Sequence, residues 1–341
     1  MKKLFYTLVV LIILCGNLFS QENNYLPDSN NMFTKSLHYT FKGLQFVYSK
    51  EQGGLERLTG RPSSELGCAK SQCHITSCDV CHKGDVSGKS LYSIDAAKNP
   101  KVCEPCHGDM AKDNPDVHFA KKMVCSDCHT SRELHGDGTA HNTFNEPGFF
   151  DAKCTNCHSS LNQSASHTVH SDKLDCLACH MSGSTTCLNC HIDSRLRGVK
   201  GSSVQFKNMY FLVNHDGKVK PANMLSYVYQ GKKMITFAPT FTHTVLKEGR
   251  KCGECHKSVI TNDINSGNFR LASWENSALK GAEGVIPVFD VLKWNIDFLD
   301  RPDSTWILLN QSSETLINYS GYCSPLTKEQ FKKMTKTVSD K

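Results

Sequence analysis

One five-residue unit, Cys-x-x-Cys-His, recurs seven times in this chain of 341 residues. The copies are Cys78, Cys81 and His82; Cys103, Cys106 and His107; Cys125, Cys128 and His129; Cys154, Cys157 and His158; Cys176, Cys179 and His180; Cys187, Cys190 and His191; and Cys252, Cys255 and His256. An eighth unit, Cys68, Cys73 and His74, places four residues between its cysteines instead of two. Together the eight use sixteen of the 18 cysteines and leave Cys15 and Cys323. At this composition chance would supply about 0.05 copies of the tight unit, so the repeat constrains the chain more than any hydrophobic pattern does.

Three chemistries use paired cysteines. Zinc knuckles use Cys-x-x-Cys, but they do not require a histidine directly after every second cysteine. A disulfide framework suits an exported protein, yet it would not enforce one five-residue unit. Covalent haem attachment requires both features. Two cysteines three apart on a tight turn form thioethers to the two vinyl groups, and the next histidine offers its imidazole to the iron. The longer Cys68–Cys73 loop bulges but can keep the same three bonds. The expected cofactor set is therefore eight haem c, with His74, His82, His107, His129, His158, His180, His191 and His256 as proximal iron ligands. No residue is assigned a catalytic role.

Eight histidines remain: His38, His118, His135, His141, His167, His170, His215 and His243. Their number equals the number of haems, so each is a candidate distal ligand. Two imidazoles per iron give a closed, six-coordinate centre suited to electron transfer, whereas an open position is what substrate chemistry requires. His118 and His170 lead directly into haem units, and His135, His141 and His167 lie within the dense region. His38 must be carried in from the N-terminal side. His215 sits in the turn sequence Asn214-His215-Asp216-Gly217, where an exposed turn residue is the alternative.

The rest of the chain divides by composition. Residues 1–20 read as a signal peptide: Lys2 and Lys3 precede an apolar stretch from Leu4 to Leu14. The rival reading lipidates Cys15, and only that form would associate with a membrane. Either way the protein is exported, to the periplasm or cell surface. Residues 21–65 read as an N-terminal wrapping segment and residues 66–260 as an octahaem domain. Within the latter, residues 200–245 alternate like strands and form a β-hairpin insertion or small meander. Residues 261–341 hold all 3 tryptophans and read as a haem-free C-terminal cap. In that tail Thr327 and Gln330 make a capping box before a helix. The short gaps between His74 and Cys78, and between His180 and Cys187, predict the tightest haem pairs.

This row of closely spaced haem units, one with the longer spacing, resembles the class III multihaem cytochromes c of the c3 and c7 type, in an octahaem form. The resemblance covers about residues 65–260. It implies a multihaem cytochrome c fold: haem-packed and mostly irregular with short α-helices, here joined by the β-hairpin insertion and a small α+β C-terminal segment. It also implies electron transport in anaerobic respiration. The partners implied are redox proteins, namely a membrane quinol oxidoreductase, a terminal reductase or an outer-surface cytochrome. Multihaem reductases of nitrite, hydroxylamine or a sulfur oxyanion are the competing resemblance, with one open-coordinate haem. The lysine that commonly replaces the motif histidine at the active haem of multihaem nitrite reductases does not occur here. A filament-forming extracellular cytochrome is a third reading.

The formal charge of +6 is misleading. Losing Lys2 and Lys3 leaves about +4, and the propionates of eight haems add roughly −16. With ferric cores the holoprotein is near −4 and with ferrous cores near −12, so basic side chains pair with propionates and nucleic acid is not an expected partner.

Overall fold

The computed structural model describes residues 31–66, 74–86, 89–108, 116–184, 186–290, 292–303, 305–310 and 313–338. The expected signal peptide, Cys15, and the cysteines Cys68 and Cys73 lie outside the described residues. No helix among the described residues is long and apolar enough to cross a membrane.

The strands form where the sequence predicts a hairpin, and the sheet they build is larger than expected. Seven strands make one sheet: β1 (Thr186–His191), β2 (Val204–Phe206), β3 (Met209–His215), β4 (Lys218–Tyr229), β5 (Lys232–Pro239), β6 (Gly284–Pro287) and β7 (Thr315–Tyr319). Asp216 and Gly217 both take positive φ, 50° and 70°, and close the β3–β4 hairpin in two residues. Gln230 and Gly231 repeat this at 47° and 76° between β4 and β5. Paired positive φ values match the right-handed twist of the flanking strands, which is why Asp-Gly suits the turn.

The long β4 is the spine of the sheet. It pairs antiparallel with β3 over its first half and with β5 from Ala222 onward, and parallel with β1 over its second half. β3 and β5 are apolar on both faces, with the burial of a core strand. Such strands cannot face water, so they need further partners and covering layers. The tail supplies both. β6 runs parallel to β3, and β7 runs parallel to β5. Phe269, Leu271, Phe298 and Leu299 from the tail pack with Phe211, Phe237 and Leu188 in one buried cluster. A division at residue 260 would cut through this core, so the insertion and the tail form one folding unit. Cys323 is buried in it, with Sγ 3.6 Å from the Phe237 carbonyl oxygen. Thr327 and Gln330 do form a capping box, at the start of the Lys328–Met334 helix.

The haem-motif region is built differently. Apart from one small hairpin, Lys83–Val86 with Lys89–Tyr92, it consists of single α or 3-10 turns joined by irregular chain. Between residues 74 and 177 no described hydrophobic side chain is fully buried. Val80, Leu134, Leu161 and Val169 each expose 40% or more of their surface. Such a stretch lacks the apolar burial that holds an ordinary domain together.

Candidate functional site

Six of the seven tight motifs share one local structure. In each, the histidine N–H donates to the carbonyl of the first cysteine: His82 to Cys78, His107 to Cys103, His129 to Cys125, His158 to Cys154, His180 to Cys176 and His256 to Cys252, at 2.8–3.0 Å. That bond closes one helical turn, which sets both cysteines and the histidine in a fixed mutual arrangement. Among the described residues no disulfide joins two cysteines.

Each of these six histidines faces a second histidine from elsewhere in the chain. The ring centroids lie 6.3 Å apart for His107 and His38, 5.8 Å for His82 and His135, and 6.2 Å for His158 and His118. They lie 6.1 Å apart for His129 and His243, and 6.2 Å apart for both His180 with His167 and His256 with His170. An imidazole nitrogen binds a transition metal at about 2.0–2.1 Å, so two rings on opposite sides of one iron have centroids roughly 6 Å apart. Imidazoles in mutual contact would sit closer than that. The spacing fits a metal between each pair.

The outer nitrogens support the same arrangement. Nδ1 of His82 donates to the Ser93 carbonyl at 3.3 Å, and those of His180 and His256 donate to the Leu246 and Lys333 carbonyls at 3.0 Å. His129 donates to Glu133 at 2.6 Å, His118 to Asp116 at 3.1 Å and His167 to the Asn162 carbonyl at 3.1 Å. With the proton on Nδ1, the Nε2 lone pair is left for a metal, and the ring is oriented for it. Burial, and next the facing motif histidine, pushes His38, His135, His170 and His243 below the usual imidazole range. An iron ligand must be neutral in this way.

The six motifs also touch in order. Burial raises the Cys81 thiol, and the next cause is Cys106 of the following motif. Cys103 meets Cys125, Cys128 lies near Cys157, and the Cys154 and Cys176 thiols share a hydrogen bond. Cys179 lies near both Cys252 and Cys255. The path thus runs through the motifs at residues 78, 103, 125, 154, 176 and 252, and it passes over the motif at 187. The tight pair expected from the short gap between His180 and Cys187 is replaced by one between the Cys176 and Cys252 motifs.

Two candidate distal ligands are used otherwise. His141 holds Glu146 through Nδ1 at 2.5 Å and Asp137 through Nε2 at 3.4 Å, so both ring nitrogens face carboxylates. His215 ends β3 and is 4% exposed, not a surface turn residue. Its Nε2 donates to the Asn145 carbonyl at 2.6 Å and ties the sheet to the haem-motif region.

Two motif histidines have no histidine partner among the described residues. His74 packs its ring 4.0 Å from that of Phe41, and it lies close enough to His38 to lower that group's affinity for protons. His191 lies on β1, where its Nε2 donates to Asp300 at 2.8 Å and its Nδ1 accepts the Ser194 N–H at 3.3 Å, so both ring nitrogens are engaged within the protein.

No family model matches the chain, and comparison with curated proteins and with solved structures yields no match either.

Proposed function

We propose that this chain is an exported multihaem c-type cytochrome that passes electrons along a row of bis-histidine haems. The observation that carries the reading is the set of six facing histidine pairs, each joining one motif histidine to one remote histidine near 6 Å. Each haem would be held by the two cysteines of its turn and by the two histidines of its pair. The haem supplies the one-electron chemistry. The protein sets its ligation, its neighbours and its contact with solvent. The haem of Cys68, Cys73 and His74 would sit near the His38–His107 pair, the second in the row. Exposed Val80, Leu134, Leu161 and Val169 are the apolar surface that porphyrin rings would cover. Redox proteins on the donor and acceptor sides, in the periplasm or at the cell surface, are the partners that such a row serves.

Haem quantitation with electron paramagnetic resonance of the oxidised protein tests the proposal. The expected result is at least six low-spin ferric haems per chain. Fewer than six, or cysteines of the six turns recovered without haem, would overturn it.

A further inference from the structure

The motif Cys187, Cys190 and His191 has the same letters as the six haem turns and a different backbone. It lies on β1. The His191 N–H donates to the Ser202 carbonyl at 2.7 Å, not back to Cys187. Across the sheet, Cys187 pairs with Leu225 and Cys190 with Tyr227, so three steps on β1 match two on β4. The extra residue is taken up between them, where Asn189 adopts φ of 55°. A bulge of one residue restores side-chain phase, so both cysteines face the same side of the sheet. His191 follows Cys190 directly and faces the other side.

The contacts agree with that division. Both cysteines line a cleft beside Tyr48, Leu55 and Leu66 of the N-terminal segment. His191 instead reaches Asp300 of the tail. A porphyrin bonded to the two cysteines could not meet this imidazole, because the sheet stands between them. The imidazole is also spoken for. Its Nδ1 caps the short helix Ile192–Leu196 through the Ser194 N–H, its Nε2 holds Asp300, and the ring is 5% exposed. Space is a third obstacle. The cleft holds about 140 Å³, whereas cofactor clefts begin near roughly 300 Å³. A haem at these cysteines would have to lever β1 out of the sheet, and with it the fully buried Leu188 and Asn189.

We infer that Cys187, Cys190 and His191 carry no haem in the folded protein and act as a structural strand whose histidine clasps the C-terminal tail. The inference rests on the reading of the six turns as haem sites. It leaves the protein with fewer haems than its eight motifs. The distinction lies in backbone, not letters: a helical turn gathers two cysteines and a histidine, and a bulged strand separates them.

The test uses the purified holoprotein, unfolded, reduced and alkylated before peptide mapping. Cys187 and Cys190 should be recovered alkylated, and the cysteines of the six turns should be recovered with haem. A Cys187→Ser, Cys190→Ser double variant should keep the full haem count, whereas Cys154→Ser, Cys157→Ser should lose one haem. His191→Ala should keep every haem and every low-spin signal and should lower the thermal midpoint, because Asp300 and the Ser194 N–H lose their partner. Haem on the peptide of Cys187 and Cys190 would overturn the inference. So would loss of a haem in its double serine variant, or a new high-spin iron in His191→Ala. If the double variant does not fold, the map of the unaltered protein decides. Haem missing from the six turns in that map sinks the electron-transfer reading, a failure distinct from haem found on β1.

Discussion

At the scale of single residues, the ring planes of the paired histidines carry information that their distances do not. Three pairs are nearly parallel, at 20°, 21° and 25°, and three are twisted, at 64°, 65° and 50°. Parallel imidazoles split the two iron d-orbitals that mix with their π-systems, and crossed ones leave them nearly degenerate. The oxidised protein should therefore show two low-spin populations of three haems each, one rhombic and one strongly anisotropic, in its paramagnetic resonance spectrum. A single rhombic population would contradict the pair geometry. Replacement of individual histidines separates ligands from structural residues. His243→Ala should convert one low-spin haem to high-spin. His141→Ala and His215→Ala should leave every low-spin signal in place. His215→Ala should still lower stability by roughly 1–3 kcal/mol, read from thermal unfolding, because the Asn145 carbonyl loses its buried donor.

The histidines also show what the sequence could reveal. The attachment motif was legible because its two cysteines and its histidine fall within five residues. The pairing of histidines was not, because it is long-range. His118 lies seven residues before Cys125, yet it faces His158; His170 lies six before Cys176, yet it faces His256. Equal numbers of motif and spare histidines suggested eight closed irons. The count could not show that His141 and His215 are held by carboxylates and by a carbonyl.

Among the elements, β1 is the one whose letters match the motif while its backbone does not form the motif's turn. Its residues satisfy the attachment motif, but Thr185 before it and Thr186 at its start favour strand, and that was the available signal. Asn189 fixes the outcome. It is fully buried; its N–H donates to Ser226 Oγ at 2.7 Å, its Nδ2 to the Asp297 carbonyl at 3.2 Å, and its Oδ1 accepts the Leu299 N–H at 3.1 Å. Asn189→Ala would strand two buried backbone groups and place a less tolerant residue at positive φ. A loss of about 3 kcal/mol is expected, measured as a lower midpoint in denaturant.

The loop from Asp137 to Glu146 behaves differently, because charge holds it. The Thr139 N–H, and next His141, hold Asp137 well below the usual carboxylate range. Burial alone would raise Glu146, but His141 and the Asn142 N–H outweigh it and lower the group. Both carboxyls are thus more acidic folded than unfolded. The stability they add is complete above about pH 5 and drains away as pH falls through 4 and below. Amide exchange at Thr139 and Asn142 should accelerate below pH 4 before the sheet amides respond. Unchanged exchange would refute this order.

Over the whole molecule, two parts obey different physics. The sheet of β1–β7 is a hydrophobic core of ordinary kind, and its central meander was readable from alternation and from the Asp216-Gly217 turn. Its outer strands β6 and β7 were not, because short strands far along the chain give no sign of their partner. The haem-motif region has no such core and is organised by its ordered row of turns. If the proposed row of haems is right, alanine at both Cys154 and Cys157 would take out a middle member of it. Electrons introduced at the Cys78 end should then equilibrate with the Cys252 end at least tenfold more slowly, as followed by stopped-flow reduction.

The sealing of β1 also sets a schedule. Leu188 shares a buried cluster with Phe298 and Leu299, Asn189 hydrogen-bonds Asp297 and Leu299, and His191 hydrogen-bonds Asp300. All of these partners lie more than a hundred residues later in the chain. A chain made from its N-terminus presents Cys187 and Cys190 well before it presents Asp300. Contacts of such sequence separation also form slowly. The strand therefore takes its final form late, and any covalent attachment that needs Cys187 and Cys190 in a helical turn would belong to the chain before the sheet has formed.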